Sequence, residues 1–248
     1  MAALVGVLGA VTGSVLNVVV HRVPQGQSIS RPRSQCPGCG QPIQPWNNVP
    51  ILLWLLLRGR CRNCATSISA RYPLVEAFTA VLFVAVALVN GFDEALAWEL
   101  PLAAALVAVA AIDLEHRIIP NRIVGPLAVY GLAIGVVLRP DELPELAIAG
   151  VAAFAFLLIA ALAYPAGMGM GDVKLAGVMG LFLGLSVVPA MFVAFVGGTV
   201  VGVVIMAREG KGARKKGVPF GPFLALGGVV AVLAGPELID LYERLFLS

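Results

Sequence analysis

Long apolar stretches alternate with short polar segments along most of the chain. A helix that crosses the roughly 30 Å hydrocarbon core of a membrane needs about 20 mainly apolar residues. Stretches of about that length predict eight helices, near residues 2–20, 74–90, 95–113, 123–139, 146–164, 173–188, 189–206 and 219–236. The sixth and seventh form one continuous apolar stretch, 173–206, which would measure about 51 Å as a single helix. Because one span cannot be that long, we divide the stretch at Pro189, near its middle.

Composition shows that these helices are membrane helices. Hydrophobic residues make up 59% of the 248 residues and charged residues 12%, with a mean hydropathy of +0.94. Soluble domains carry about 25% charged residues, and disordered chains combine low hydrophobicity with high charge. Both classes are therefore excluded. We expect an all-α polytopic membrane protein with about eight transmembrane helices, in contact with membrane lipid and without a nucleic-acid partner.

The few charged residues predict how the helices are oriented. The segment between the first two helices is rich in arginine and has no acidic residue, whereas the following loop carries Asp93 and Glu94 and no basic residue. Loops rich in Lys and Arg stay in the cytoplasm. The alternation continues along the chain, and it predicts that 21–73 is cytoplasmic and that both termini lie outside. The basic run 214–216 is placed at the cytoplasmic start of the last helix.

All four cysteines fall in this arginine-rich segment, as two Cys-x-x-Cys pairs separated by 21 residues. The pairs are Cys36 with Cys39 and Cys61 with Cys64. This spacing is typical of a zinc ion held by four thiolates. Disulfides and a redox Cys-x-x-Cys are the alternatives, but a reducing cytoplasm disfavours the first and the second does not require two copies. We predict a structural zinc site that organises a small insert, with Gly38 and Gly40 supplying positive φ in the first turn.

Two aspartates stand apart from the other acidic residues, most of which fall in outside loops. Asp113 ends the third predicted helix and Asp172 begins the sixth, so both are expected at cytoplasmic helix ends. Carboxylates at membrane depth are costly and mark function by default. Two apposed carboxylates in a poorly solvated site share one proton, so one can take a proton from water while the other polarises a carbonyl. Gly169 and Gly171 are expected to open a slot for an extended peptide. Lys174 is expected to extend toward the interface, with an electrostatic influence on the aspartate pair as the alternative.

Structural roles remain open for the same acidic residues. Asp172 has the position of a helix cap, and Asp113 is one turn from Arg117. Glu76, near the start of the second helix, is close to Arg71. Helix capping and interfacial ion pairs would explain all three carboxylates without any chemistry.

Five sequence blocks carry a resemblance to a known family. They are GSVLNVVVHRVP at 13–24, the cysteine-rich segment at 36–76, DLEHRIIPN at 113–121, GMGD at 169–172 and KKGVPFGPFLALG at 215–227. With these blocks, the chain resembles the type IV prepilin peptidases, membrane aspartic proteases of the GxGD class. Five blocks in the same order cover nearly the whole chain and are far more specific than Gly-x-Gly-Asp alone. His21 departs from the aromatic residue that the family pattern leads us to expect, and this departure puts no catalytic residue in doubt.

The resemblance implies an enzyme whose catalytic pair is Asp113 and Asp172. The family removes leader (type III signal) peptides from prepilins and pseudopilins on the cytoplasmic side of the bacterial inner membrane, after a glycine and before an apolar segment. Many members then N-methylate the new terminal residue with S-adenosylmethionine, an activity associated with the cytoplasmic cysteine-rich region. The resemblance implies that this second activity is open to the present chain, without assigning residues to it.

The expected organisation has three segments: a first helix at 1–20, a zinc insert at 21–73 and a seven-helix catalytic domain at 74–248. We expect an aspartic endopeptidase with its active site facing the cytoplasm. Two other classes stay open. A transporter would use the aspartates for protons or cations, and an assembly scaffold would use the insert to bind a pilus or secretion component. Positions at helix ends count against a transporter, whose carboxylates are expected nearer the middle of the membrane.

Overall fold

The residues that the structure describes fold mainly into α-helices. The computed structural model describes residues 1–36, 38–44, 49–165, 167–209 and 218–246. The helices in those ranges are α1 (Ala2–Arg22), α2 (Leu52–Leu56), α3 (Arg71–Asn90), α4 (Leu96–His116), α5 (Asn121–Leu138), α6 (Leu143–Ala163), α7 (Met170–Leu183), α8 (Val187–Glu209) and α9 (Gly221–Phe246). The prediction of an all-helical fold is confirmed. The basic run 214–216 lies outside the described residues.

Seven stretches of described helix are long and apolar enough to cross a membrane. The sixth, Met170–Arg208, contains both α7 and α8, so it covers two of the eight predicted helices. The prediction that this stretch divides at Pro189 is wrong by a few residues. The break is at Gly184, whose φ of +56° ends α7 and leads into a short 3-10 turn. Pro189 lies in the first turn of α8, where its missing N–H costs no helical hydrogen bond.

The chain divides into two compact units, Met1–Phe92 and Asp93–Ser248. In the first unit, α1 packs along α3. Glycines on α1 permit this approach, because a Cβ on Gly9 would come within 2.7 Å of the α3 backbone. A Cβ on Gly13 would come within 2.6 Å of the Cα atom of Glu76. Small residues therefore bring the two helix backbones together, as is usual for packing inside membranes.

A buried carboxylate links α3 to the segment before α2. Glu76 is 7% exposed, and its Oε2 accepts the backbone N–H of Ile51 at 2.8 Å. The hydroxyl of Ser14 also bonds to this carboxylate. These bonds satisfy a group that would be costly to bury alone, and they hold the start of α2 against α3. The predicted pairing of Glu76 with Arg71 stays a prediction.

In the second unit, α4 contacts α5, α7 and α9. Trp98, near the start of α4, is 2% exposed and donates its Nε1–H to the carbonyl oxygen of Phe182 at 2.8 Å. A small residue again sets the helix spacing, because a Cβ on Gly180 of α7 would come within 2.6 Å of the carbonyl oxygen of Ala149 in α6. α8 packs on α9. This packing fixes α4 and α7, the two helices that carry the predicted aspartates.

Candidate active site

The last turn of α4 holds Asp113, which is 5% exposed. The helix ends at Arg117, whose φ of +55° is left-handed and whose backbone N–H donates to the carbonyl oxygen of Asp113 at 3.0 Å. The carboxylate Oδ2 accepts the N–H of Gly221, the first residue of α9, at 2.9 Å in a buried hydrogen bond. An amide at a helix start has no partner within its own helix. The start of α9 therefore supplies a fixed donor to Asp113.

The first turn of α7 holds Asp172, which is 9% exposed. Its Oδ2 accepts the backbone N–H of Gly169, directly before the helix, at 3.1 Å. A negative side chain in the first turn also interacts favourably with the helix dipole. Asp172 therefore contributes to capping α7, which is the structural role left open by the sequence. Capping leaves other acceptor positions of the Asp172 carboxylate available, because a carboxylate offers about four such positions and this bond occupies one of them.

The structure brings the two predicted aspartates into one site in the second unit. The helices α4, α7 and α9 contact one another. Ile119, in the segment after α4, packs on the first turn of α7, since a Cβ on Gly171 would lie 2.8 Å from the Ile119 Cβ. Among the described side chains, Asp113 and Asp172 are the buried acidic groups of this unit.

The two glycines of the predicted slot have different surroundings. The nearest atom to a Cβ on Gly169 would be Oδ2 of Asp172, at 3.4 Å, which is ordinary contact. The corresponding position on Gly171 is filled by Ile119. Gly169 therefore borders the carboxylate directly, whereas Gly171 allows a neighbouring segment to approach the helix. Their part in binding a peptide stays a prediction.

Two contacts near the aspartates were not found by sequence reasoning. The Gly221 amide reaches Asp113 across 108 residues of chain, and the only sequence signal was its place in the block 215–227. Lys174, which was expected to extend toward the interface, donates its Nζ to Oδ1 of Asn121 at 3.0 Å. Asn121 is the first residue of α5, so this bond joins the starts of α5 and α7.

The four cysteines form a separate candidate metal site in the first unit. Their Sγ atoms all lie within 4.8 Å of one another, those of Cys36 and Cys64 are 3.7 Å apart, and none is in a disulfide. Zn–S bonds of about 2.3 Å place tetrahedral sulfurs about 3.8 Å apart, so the cluster fits a zinc ion. A hydrogen bond with the Thr66 hydroxyl lowers the pKa of the Cys64 thiol to about 6, whereas contact with the Cys36 and Cys64 sulfurs helps to raise the pKa of the Cys39 thiol to about 11. A bound zinc ion would deprotonate both thiols.

Two similar turns hold the cysteine pairs. In each turn, the N–H four residues after the first cysteine donates to that cysteine's carbonyl oxygen, Gly40 to Cys36 at 2.8 Å and Ala65 to Cys61 at 3.0 Å. Both donor residues have a left-handed φ, of +68° and +58°. The prediction of positive φ is therefore confirmed for Gly40. It is wrong for Gly38, whose lack of a side chain instead leaves room for a side chain of the second turn.

The fold and the buried carboxylates define a polytopic helical membrane protein with an acidic site formed by α4, α7 and α9. Residues 7–90 match the Bacterial Peptidase A24 N-terminal domain, and residues 100–206 match the Type IV leader peptidase family. The chain belongs to the type IV leader peptidase family and is a protease. The first match ends just before the boundary between the compact units, and the second begins just after it.

Similar proteins extend over most of the chain. A relative from Burkholderia pseudomallei strain 1026b is 35% identical, covering 92% of this chain and 84% of its own length. Relatives from Stutzerimonas stutzeri and Aeromonas hydrophila are 36% and 34% identical, covering 95% and 98% of this chain and 91% and 94% of their own. Each is named prepilin leader peptidase/N-methyltransferase. No solved structure matches the chain. The resemblance drawn from the sequence blocks is confirmed.

Proposed function

We propose that the chain is an intramembrane aspartic endopeptidase that removes the leader peptide from prepilins and pseudopilins. The observation that carries this proposal is a pair of buried aspartates, each held by one backbone amide where three helices meet. Family membership and the names of the relatives support the peptidase activity and the substrate class. The distribution of Lys and Arg supports cleavage on the cytoplasmic side of the bacterial inner membrane. The resemblance implies cleavage after a glycine and before the apolar segment.

The proposed reaction uses Asp113 and Asp172 as a pair that shares one proton, because two close buried carboxylates cannot both ionise easily. The ionised carboxylate takes a proton from water as the water oxygen bonds to the scissile carbonyl carbon. The protonated carboxyl meanwhile donates a hydrogen bond to the carbonyl oxygen. Proton transfer to the amide nitrogen then breaks the C–N bond and releases the leader. The amides of Gly169 and Gly221 hold the two carboxylates in place during these steps.

A peptide slot beside Gly169 and Gly171 would present the scissile bond to this pair. Aspartic proteolysis needs an extended peptide, because a folded helix hides its backbone carbonyls in hydrogen bonds. Gly169 has an extended backbone, with φ −84° and ψ 150°, and its amide already contacts Asp172. The slot is therefore proposed at the extended segment that precedes α7.

A structural zinc ion is proposed for the insert, held by Cys36, Cys39, Cys61 and Cys64. Four thiolates complete the tetrahedral coordination of zinc and leave no position for a substrate. The ion would join the two cysteine turns, which contain few buried apolar residues of their own. It would therefore stabilise the insert without taking part in peptide cleavage.

N-methylation of the new terminal residue is a second proposed activity, for which S-adenosylmethionine would supply the methyl group. The names of the relatives support it. No residue of the described part of Met1–Phe92 is assigned to the cofactor.

The test is leader removal from a co-expressed prepilin. Asp113→Asn and Asp172→Asn should each slow cleavage by at least about 10²-fold, the usual scale of acid–base catalysis. Asp141→Asn is the matched control, because Asp141 is exposed in the segment before α6, and it should cleave at the parent rate. Cleavage that persists in either site variant would refute the aspartic mechanism. The mass of the mature product reports methylation separately.

A further inference from the structure

An open groove lies among α5, α6 and α7 of the second unit. Its volume is about 560 Å³, and its walls are almost entirely apolar. They include Gly125, Ala128 and Leu132 of α5, Val151 and Phe154 of α6, and Leu181 of α7. A Cβ on Gly125 would meet no atom within 4 Å, so the groove is empty of protein at that point. Lys174 is the one charged residue of the lining, and it is bonded to Asn121, which lines the groove beside it.

The polar end of this groove lies at the level of the proposed catalytic pair. Lys174 follows Asp172 by two residues, which is about 3 Å along the helix axis but about 200° around it. The two side chains therefore leave α7 on nearly opposite faces. Asn121 in turn follows Ile119 by two residues, and Ile119 packs on Gly171. The groove thus starts beside the first turn of α7, on the far side from the carboxylate.

We propose that this groove binds the apolar segment of the substrate that follows the scissile bond. The inference rests on the proposed function, which requires an apolar surface that begins near the aspartates. The α5 wall from Asn121 to Leu132 rises about 16 Å, enough to contact three turns of a substrate helix. Because the groove is open on one side, the substrate helix lies against it rather than inside the protein.

The geometry also sets where the bound helix begins. The substrate must cross the first turn of α7, and a helix with its side chains is about 10–12 Å wide. An extended chain covers about 3.3 Å per residue. The helix in the groove therefore starts about three or four residues after the scissile bond. Lys174 lies at that end without an acidic side chain in the groove lining, so charge complementarity favours an acidic substrate residue there.

Filling the groove tests this assignment. Gly125→Leu places a side chain in open space on α5. Because Gly125 precedes Pro126, whose ring restricts the residue before it, thermal unfolding checks that the variant is folded, and Ala128→Leu repeats the test on another residue of the groove. The KM for a prepilin in lipid nanodiscs should rise at least about tenfold with kcat unchanged, which corresponds to about 1.4 kcal/mol of lost packing between helices. Gly202→Leu on α8 is the control, because Gly202 is equally open and lies outside the groove. It should match the parent.

A charge exchange tests the polar end. Replacing an acidic prepilin residue three to five positions after the scissile bond by its amide should raise the KM about threefold or more in the parent enzyme. It should have no effect in Lys174→Gln, because the partner charge is then absent. Equal effects in both enzymes would remove Lys174 from the assignment and overturn it.

The outcomes separate this inference from the proposed function. A parent-like KM for Gly125→Leu, with Asp113→Asn and Asp172→Asn inactive, would show that the substrate does not use the groove and would overturn the groove assignment alone. A fall in kcat at unchanged KM would also overturn it, because the change would then act on the carboxylates. Cleavage by the Asn variants would instead refute the proposed function itself.

Discussion

Gly221→Ala is the sharpest test of how the candidate site is built. A Cβ at this position would lie 2.7 Å from Oδ2, 3.0 Å from Cγ and 3.1 Å from Cβ of Asp113. Ordinary contact between such atoms begins near 3.4 Å, so the carboxylate must move by about 0.7 Å. Asp113 is buried, and close packing resists such a shift. The substitution therefore displaces the carboxylate, weakens its bond to the Gly221 amide, or does both.

The expected loss follows from these two effects. A hydrogen bond to a charged group contributes about 1.5–3 kcal/mol, and each 1.4 kcal/mol corresponds to about tenfold in rate. Misplacing a reacting group by about 1 Å costs about 10²-fold. We expect kcat for prepilin cleavage to fall by about 10- to 100-fold. The KM should stay within about twofold, because Gly221 lies outside the proposed peptide slot and groove.

The assay is a time course of leader removal by purified protein in nanodiscs, resolved by mass spectrometry. Gly202→Ala is the matched control, since a Cβ on Gly202 meets no atom within 4 Å. Thermal unfolding of both variants verifies that they are folded. A folded Gly221→Ala protein with kcat within twofold of the parent would refute the role of this amide in positioning Asp113.

Three further substitutions test the packing and the metal site. Cys36→Ser should lower bound zinc and the unfolding temperature, and unchanged zinc by elemental analysis would refute the four-thiolate site. Trp98→Phe leaves the buried carbonyl of Phe182 without its donor, so it should destabilise the protein by about 1–3 kcal/mol. Thermal unfolding in detergent measures this loss, and an unchanged unfolding temperature would contradict the assignment of this bond. Gly13→Leu should push α1 away from α3 at Glu76 and lower the yield of folded protein, whereas parent-like yield would show that the two helices need not pack so closely.

The sequence alone predicted the features that depend on local composition and spacing. A run of apolar residues forms a helix in a membrane because the backbone must bond within itself there, and the predicted and observed helices agree to within a few residues at most ends. The two Cys-x-x-Cys turns followed from local spacing as well, because two intervening residues let one tight turn carry both sulfurs. The division point of 173–206 did not, because proline is compatible with the first turn of a helix and Gly184 provided the sharper break.

The arrangement of these helices was decided only by the tertiary structure. In a soluble helix one apolar face marks the core, but in a membrane helix the outer faces are apolar as well. The pattern therefore does not show which faces meet. The bond from Gly221 to Asp113, the contact of Ile119 with Gly171 and the open groove beside Lys174 all arise between segments distant in sequence. The sequence pointed to the residues that are proposed to carry the chemistry, and helix packing determined what holds and surrounds them.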